Sequence, residues 1–350
     1  MRIAIVNDLQ LAIESLRRAV ATIPDATVAW IARDGAEAVA KCAADVPDVI
    51  LMDMIMPVMD GVEATRRIMR ATPCPILVVT ATVSGNASKV FEALGAGALD
   101  AVATPGLAPD GRVVNAEPLA LKVRTLSLLA GVTPRELLPA AAPQNAQASR
   151  GMPTLVAIGA STGGPEALAT VLRSLPKPAP WPIIIVQHID EMFASGLSEW
   201  LTRETGHRVV AAASDAVPEP GCVHLASSSD HLIVQSGRVR YTAVPREVVY
   251  RPSVDVFFQS LLTAGVQQGV AVILTGMGRD GASGMASLRT AGWTTIAQDR
   301  ATSVVWGMPG AATQMGAAMQ TLPIDKIGAA ISATLAHGRK SSGPQQGVFD

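Results

Sequence analysis

Short, wholly apolar runs alternate along this chain with longer stretches in which apolar residues recur every three or four positions. Residues 2–6 (RIAIV), 27–31, 48–53 (DVILMD), 76–79 and the segment around 99–102 have the length and apolar content of buried strands. Between the early runs, Leu11, Leu16 and Val20 have helical spacing, and residues 36–42 predict a second helix. The device returns after residue 154. Residues 155–158, 182–188 (PIIIVQH) and 270–274 read as buried strands, and Leu168, Val171, Leu172 and Leu175 form the face of a helix that opens at Pro165 and Glu166. Such alternation predicts an α/β chain with two doubly wound parallel sheets, whose ligand sites lie beyond the carboxyl ends of the strands.

Between the halves the periodicity stops. After a helical pattern at Leu119, Val123, Leu126 and Leu129, residues 133–153 read TPRELLPAAAPQNAQASRGMP, which lacks the apolar face that a core requires. The expected division is a first domain over residues 1–130, a linker over 131–153, a second domain over 154–337 and a polar, mobile tail over 338–350.

Composition narrows the function classes. A chain of 350 residues that is 49% hydrophobic can bury two cores, which excludes disorder throughout. A net charge of -1, without a long basic run, gives no reason to expect nucleic acid or an anionic membrane surface as partner. The opening MRIAIVND reaches Asn7 and Asp8 too soon for a signal-peptide core, and no apolar run is long enough to span a bilayer. A cytoplasmic protein without membrane insertion is expected. Cys42, Cys74 and Cys222 are odd in number and lack metal-site spacing, so they read as reduced packing residues.

The strand ends carry the chemistry. In TLVAIGASTGGPEAL (residues 154–168) an apolar strand stops at Gly159, presents Ser161 and restarts as a helix. Gly159, Gly163 and Gly164 permit tight or left-handed backbone, so N–H groups at the helix start can converge on one oxyanion. Taken alone, Ser161 or Thr162 serves equally well as a simple helix cap. The strand over 182–188 ends at Gln187 and His188, and the strand over 270–274 runs into a glycine-rich turn holding Asp280. Parallel strands bring such ends to one edge, so a nucleophile, a base and an orienting carboxylate can meet there. His224 and His231 compete with His188 for the base, and Asp255 and Asp299 compete with Asp280.

In the first domain, two strands deliver Asp8 and Asp53 to the same kind of edge, a pair of hard oxygen ligands suited to magnesium beside a phosphoryl group. Asp53 could equally just begin the turn MDMIMPVMDG, and Met52, Met54, Met56 and Met59 read as packing.

MDMIMPVMDGVEATRRI resembles the phosphoacceptor segment of two-component receiver domains, a likeness that covers residues 1 to about 130. The resemblance implies a flavodoxin-like fold, phosphorylation of Asp53, a magnesium ion held by Asp8 and Asp53, and supporting roles for Asn7 and Thr80. Three positions depart from the receiver pattern: Asn7 replaces an acidic residue, Thr104 stands where a lysine is usual, and Ala101 stands at the aromatic switch position.

IGASTGG, VQH, YRPSVD, ILTGMGRDG and AQDRATSVVWGMP resemble the signature segments of the protein-glutamate methylesterase family of bacterial chemosensory systems. The resemblance implies a Rossmann-like catalytic domain with Ser161 as nucleophile, His188 as base and Asp280 as orienter. It also implies an oxyanion hole at the backbone around Met277, for which Thr162 and Gly163 are further candidates. The reaction implied is hydrolysis of glutamate γ-methyl esters on a methyl-accepting chemoreceptor, with deamidation of receptor glutamines as a second activity and no cofactor for either. A chemosensory histidine kinase is the expected phosphodonor, and the receiver is expected to act as a lid set by its phosphorylation state. An ordinary histidine, titrating at about pH 6.5, can take the serine proton near neutrality. The receiver opening and the absent lysine are similar to a divergent, Wsp-type subclass that serves surface sensing. Two rival classes are a phosphorylation-controlled binding module with an inactive hydrolase half, and a general small-ester hydrolase.

Overall fold

The computed structural model describes residues 1–80, 87–127, 154–248 and 250–340. Leu129, the linker at 131–153 and residues 341–350 lie outside the described residues. By contacts the chain divides into two compact units, Met1–Leu138 with Ile189–Trp200, and Pro139–His188 with Leu201–Asp350.

The first unit is built on β1 (Arg2–Val6), β2 (Thr27–Ala32), β3 (Val49–Met52), β4 (Ile76–Thr80) and β5 (Asp100–Ala103), in the order β2-β1-β3-β4-β5. All neighbours are parallel, with Val6 opposite Met52 and Met52 opposite Val78. The connections are α1 (Gln10–Ala21), α2 (Gly35–Ala44), α3 (Gly61–Ala71) and α4 (Ala87–Gly95), and α5 (Glu117–Ser127) follows β5. This is the flavodoxin-like order, which places a topological switch at β1 and β3. β3 and β4 are buried at every position, as their uninterrupted apolar sequences require. Asp34 caps α2 by accepting the Glu37 N–H (2.9 Å), and Asp60 caps α3 by accepting that of Glu63 (3.0 Å).

Leu11, assigned by spacing to the inner face of α1, is 72% exposed. Ile13, Leu16, Ala19 and Val20 form the buried stripe, and Leu11 lies two residues before Ile13, about 200° round the helix. A short hairpin, β6 (Gly106–Leu107) with β7 (Val113–Val114), was not predicted from pattern.

The second unit contains a seven-stranded parallel sheet made from β8 (Val156–Ala160), β9 (Ile183–Gln187), β10 (Arg208–Ala211), β11 (Cys222–Leu225), β14 (Val270–Ile273), β15 (Thr294–Gln298) and β16 (Gln320–Leu322). Its order is β10-β11-β9-β8-β14-β15-β16. The chain leaves β8 toward β9 on one side and returns to β14 on the other, so the switch point lies at β8. β12 (His231–Gln235) and β13 (Arg238–Thr242) form a separate antiparallel hairpin. The helices that matter to the site are α6 (Gly164–Arg173), α8 (Val254–Thr263), α9 (Ala282–Thr290) and α10 (Met308–Gln314). On α6, Leu168, Val171 and Leu172 are fully buried, and Leu175 beyond its end is 4% exposed. The last helix, α11 (Ile324–Lys340), continues three residues into the stretch expected to be a mobile tail, carrying Gly338 within it, a residue that weakens a helix without forbidding it.

The three cysteines are free and buried. Cys42 and Cys74 are brought within 3.8 Å, Sγ to Sγ, and burial pushes the Cys74 thiol well up, so both act as small apolar groups. No helix among the described residues is long and apolar enough to cross a membrane.

Candidate active site and phosphoacceptor site

Ser161, His188 and Asp280 follow three neighbouring strands of the second sheet, β8, β9 and β14. Main-chain bonds fix their juxtaposition. The His188 N–H donates to Ala160 O (2.9 Å) and the Ser161 N–H donates to Thr275 O (3.0 Å), so the nucleophile's backbone is tied to both flanking strands. Gln187, fully buried, donates from Nε2 to Ser161 O (2.8 Å). Gly163, at φ +75°, turns the chain directly into α6.

Gly276 supports Ser161 from below. A Cβ added there would stand 2.7 Å from Ser161 Cβ and 2.4 Å from Met308 Sδ. The turn that carries Met277 therefore passes against the nucleophile because residue 276 has no side chain. The Gly276 carbonyl is occupied by the N–H groups of Gly307 and Met308 (3.0 and 2.8 Å), which locks this turn to the start of α10.

His188 Nε2 lies 2.8 Å from Asp280 Oδ2, and their side chains are only 9% and 5% exposed. An ionised carboxylate only accepts, so the ring proton sits on Nε2. His188 Nδ1 is buried and has no hydrogen-bond partner among the described residues, which leaves it as the basic nitrogen.

Asp280 itself is held by a cradle that sequence reading missed. It accepts from Ser253 Oγ (2.8 Å), the Val254 N–H (2.6 Å) and the Asp255 N–H (3.0 Å), which are the N-cap and first turn of α8. Burial alone would push its carboxyl up. The bond from His188 and the backbone donors outweigh burial and hold it below the ordinary carboxylate range. The serine, valine and aspartate of YRPSVD form an anion-holding helix start.

The rivals are occupied elsewhere. Asp255 accepts the Gly284 N–H (2.6 Å) at the start of α9. Burial, with Asp280 nearby, pushes it to about 6 against the opposing pull of these N–H groups. Asp299 accepts from the Thr302 N–H (2.9 Å) and Thr302 Oγ1 (2.6 Å) in a local turn. His231 is 0% exposed, bonding the Pro245 carbonyl through Nε2 (3.0 Å) and accepting from the Ser253 N–H through Nδ1 (3.2 Å). His224 accepts from the Glu219 N–H at 3.4 Å.

In the first unit, Asp8 and Asp53 stand just beyond the paired strands β1 and β3. Asp53 accepts the Met54 N–H (2.8 Å). Burial, with the added repulsion of Asp8, pushes its carboxyl up to about 6 despite the Met54 and Ile55 N–H groups. Asp8 Oδ1 is buried without a partner among the described residues. Two close carboxylates, one with an orphaned oxygen, fit a hard divalent cation that takes its other ligands from water and a phosphoryl group. Among the described residues no group of three or more His, Cys, Asp and Glu side chains could hold a metal. Asn7, 2% exposed, uses its Oδ1 to accept the Leu9 N–H (2.9 Å). Thr80 is buried at the end of β4, and its carbonyl accepts the Thr104 N–H (2.9 Å).

Comparison with known proteins gives the family. Residues 156–331 match the model of the CheB methylesterase family, and residues 3–109 match that of the response regulator receiver domain. The chain belongs to the CheB methylesterase family. The CheB-family protein-glutamate methylesterase/protein-glutamine glutaminase 3 of Burkholderia orbicola is 52% identical over 96% of this chain and 98% of its own length. Its namesake from Pseudomonas aeruginosa is 48% identical over 93% of this chain and 97% of its own. Among solved structures, the CheB methylesterase catalytic domain of Thermotoga maritima has 34% identity, covering 52% of this chain and 98% of its own, with a TM-score of 0.49. The CheB-family protein described here is accordingly a protein-glutamate methylesterase with a receiver domain.

Proposed function

We propose that Ser161 attacks the γ-carbonyl of a methylated glutamate on a methyl-accepting chemoreceptor, with His188 Nδ1 taking its proton. The ionised Asp280 carboxylate, accepting from the His188 Nε2–H, holds the ring tautomer and stabilises the imidazolium. The negative charge on the tetrahedral oxygen is met by backbone N–H groups, those of Met277 with Thr162 and Gly163 being the candidates. Collapse expels methanol with the proton from His188; water then attacks the acyl-serine by the same base and leaves a free glutamate. The same sequence on a glutamine side chain releases ammonia, so deamidation needs no other residues.

Asp53 is the phosphoacceptor, supplied by a chemosensory histidine kinase, and its phosphorylation raises hydrolysis. Asp8 and Asp53 would hold magnesium, which supplies charge neutralisation during phosphoryl transfer. Asn7 shapes the loop after β1, and Thr80 offers a hydroxyl at the neighbouring strand end. The domains proposed are a receiver over residues 1–130, a linker over 131–153 and a catalytic domain over 154–337, in a cytoplasmic enzyme.

The observation that carries the catalytic reading is the His188–Asp280 contact, which leaves a buried Nδ1, without a partner among the described residues, just past the end of the strand next to that of Ser161. It is tested by incubating the purified chain and magnesium with membranes carrying methyl-labelled receptor, with and without a small phosphodonor. Methanol release that rises with the phosphodonor in the parental chain and fails to rise in Asp53→Asn is expected. Absence of methanol, or an unchanged rise in Asp53→Asn, would contradict it.

A further inference from the structure

The stretch that cradles Asp280 begins with an aromatic ring lying flat against the base. The rings of Tyr250 and His188 are parallel, at an interplanar angle of 0° with centroids 4.7 Å apart. A single bond from Nε2 to Asp280 fixes one edge of the imidazole but leaves the ring free to swivel about that bond. A flat neighbour at stacking distance removes this freedom and so sets the direction of Nδ1. The far end of Tyr250 is closed as well. Gly278, in the turn leading to Asp280, approaches so nearly that a Cβ there would be 3.1 Å from Tyr250 Oη. Three residues on, Ser253 and the N–H groups of Val254 and Asp255 hold the carboxylate.

We infer that Tyr250 is a positioning residue for the hydrolysis: its ring fixes the plane of the His188 imidazole and stabilises the imidazolium that forms when Ser161 is deprotonated. The second effect follows from the negative face of an aromatic ring, which attracts a cation stacked on it, most strongly where water is excluded. Such stabilisation grows only as the proton arrives, so it acts on the transition state rather than on substrate binding. The charged and titratable groups around the imidazole are Asp280, bonded to it, Asp255, one donor further out, and Tyr250 itself, whose hydroxyl is kept protonated by burial and by Asp280. The arginines next in sequence to Asp280 and Tyr250 bond elsewhere, Arg279 with Met315 Sδ and Arg251 with the Arg246 carbonyl. The inference rests on His188 being the base.

The test compares the full-length parental chain with Tyr250→Leu, Tyr250→Phe and His188→Gln, measuring methanol release from methylated receptor as a function of pH. Tyr250→Leu keeps apolar bulk but loses the ring face, and is expected to lower kcat about tenfold with KM nearly unchanged. Its acid limb should also move to lower pH, since the imidazolium is less stabilised. Tyr250→Phe, which restores the ring, should recover most of both. A Tyr250→Leu protein with parental kcat and pH profile overturns the inference, as does a Tyr250→Phe protein equally impaired, which would give the role to the hydroxyl. An active His188→Gln protein would instead remove the catalytic reading beneath it.

Discussion

The two parallel sheets use the same device to opposite ends. Each brings polar residues to the carboxyl edge of its strands at a topological switch point, but the carboxylates met there are treated differently. Asp280 accepts from His188, Ser253 Oγ and two backbone N–H groups, and its carboxyl is held low. Asp53 accepts from the Met54 and Ile55 N–H groups, faces the charge of Asp8 and is pushed up to about 6. A carboxylate matched by four fixed donors is preorganised to orient another group, and costs nothing further when the reaction begins. A carboxylate left under-matched beside a second one has affinity to spare for a cation and a phosphoryl group. The chain thus contains one finished site and one built to be completed by ligands.

That contrast predicts unequal responses to mutation. The largest is expected at Asp280. Asp280→Asn preserves shape but presents an amide N–H that can donate to His188 Nε2 and favour the tautomer protonated on Nδ1, so kcat should fall by about 10³–10⁴ with KM little changed. Asp299→Asn, which disturbs only a turn with Thr302, should cost far less. Should Asp299→Asn be the more damaging in the same methanol assay, the orienter has been misassigned.

Next comes Gly276→Ala. The new methyl would press on Ser161 Cβ and Met308 Sδ at distances no relaxed contact allows. Displacing a nucleophile by several tenths of an ångström should cost about 10–100-fold in kcat. Loss of turnover with the thermal transition kept within a few degrees is the expected pattern; parental turnover would show that the turn yields freely.

In the first unit the response should be one of stability and pH. Because folding raises the Asp53 carboxyl from its usual range to about 6, its contribution to stability is fully present below about pH 4 and is lost as pH rises through about 6. Asp53→Asn removes that loss. For a half-buried group the gain near neutrality should be about 1–2 kcal/mol, after discounting for solvent screening, and should vanish toward pH 4. Denaturant unfolding of parental and variant chains without magnesium at both pH values would show it, and equal stability at pH 7 would contradict it.

The smallest effect is expected from Thr104→Lys. Thr104 can offer a neutral hydroxyl where receivers usually carry a cation, and charge-assisted hydrogen bonds are about twice as strong as neutral ones. The lysine should enlarge the ratio of phosphorylated to unphosphorylated esterase activity. A ratio that stays the same or falls would mean that another group already supplies the charge.

Much of this was legible in the sequence because buried parallel strands are uninterrupted apolar runs, and the residue just after each run is delivered to one edge. Ser161 and His188 were singled out in that way, and Asp280 by its glycine-rich turn. The same logic gave Asp8 and Asp53. The hairpin β6–β7 escaped because two-residue strands carry little pattern, whereas β12–β13 had a signal in the Ser236-Gly237 turn between two five-residue runs that was passed over. Leu11 was misplaced because one apolar residue off the stripe looks like part of it. The Asp280 cradle depends on Ser253, Val254 and Asp255, which lie more than twenty residues away and donate partly through backbone. Neither that pairing nor the stacking of Tyr250 on His188 leaves a periodic trace. Which imidazole nitrogen acts as base was also beyond reach, since it follows from the side from which Asp280 approaches.

The claim at the centre is that one serine oxygen carries the hydrolysis. Methanol release from methyl-labelled receptor, measured for the parental chain and for Ser161→Ala at equal concentration with a matched unfolding transition, tests it most directly. The account predicts a fall of several powers of ten, to the residual rate that an oxyanion hole and binding alone sustain. Turnover of Ser161→Ala within tenfold of the parental chain would contradict it.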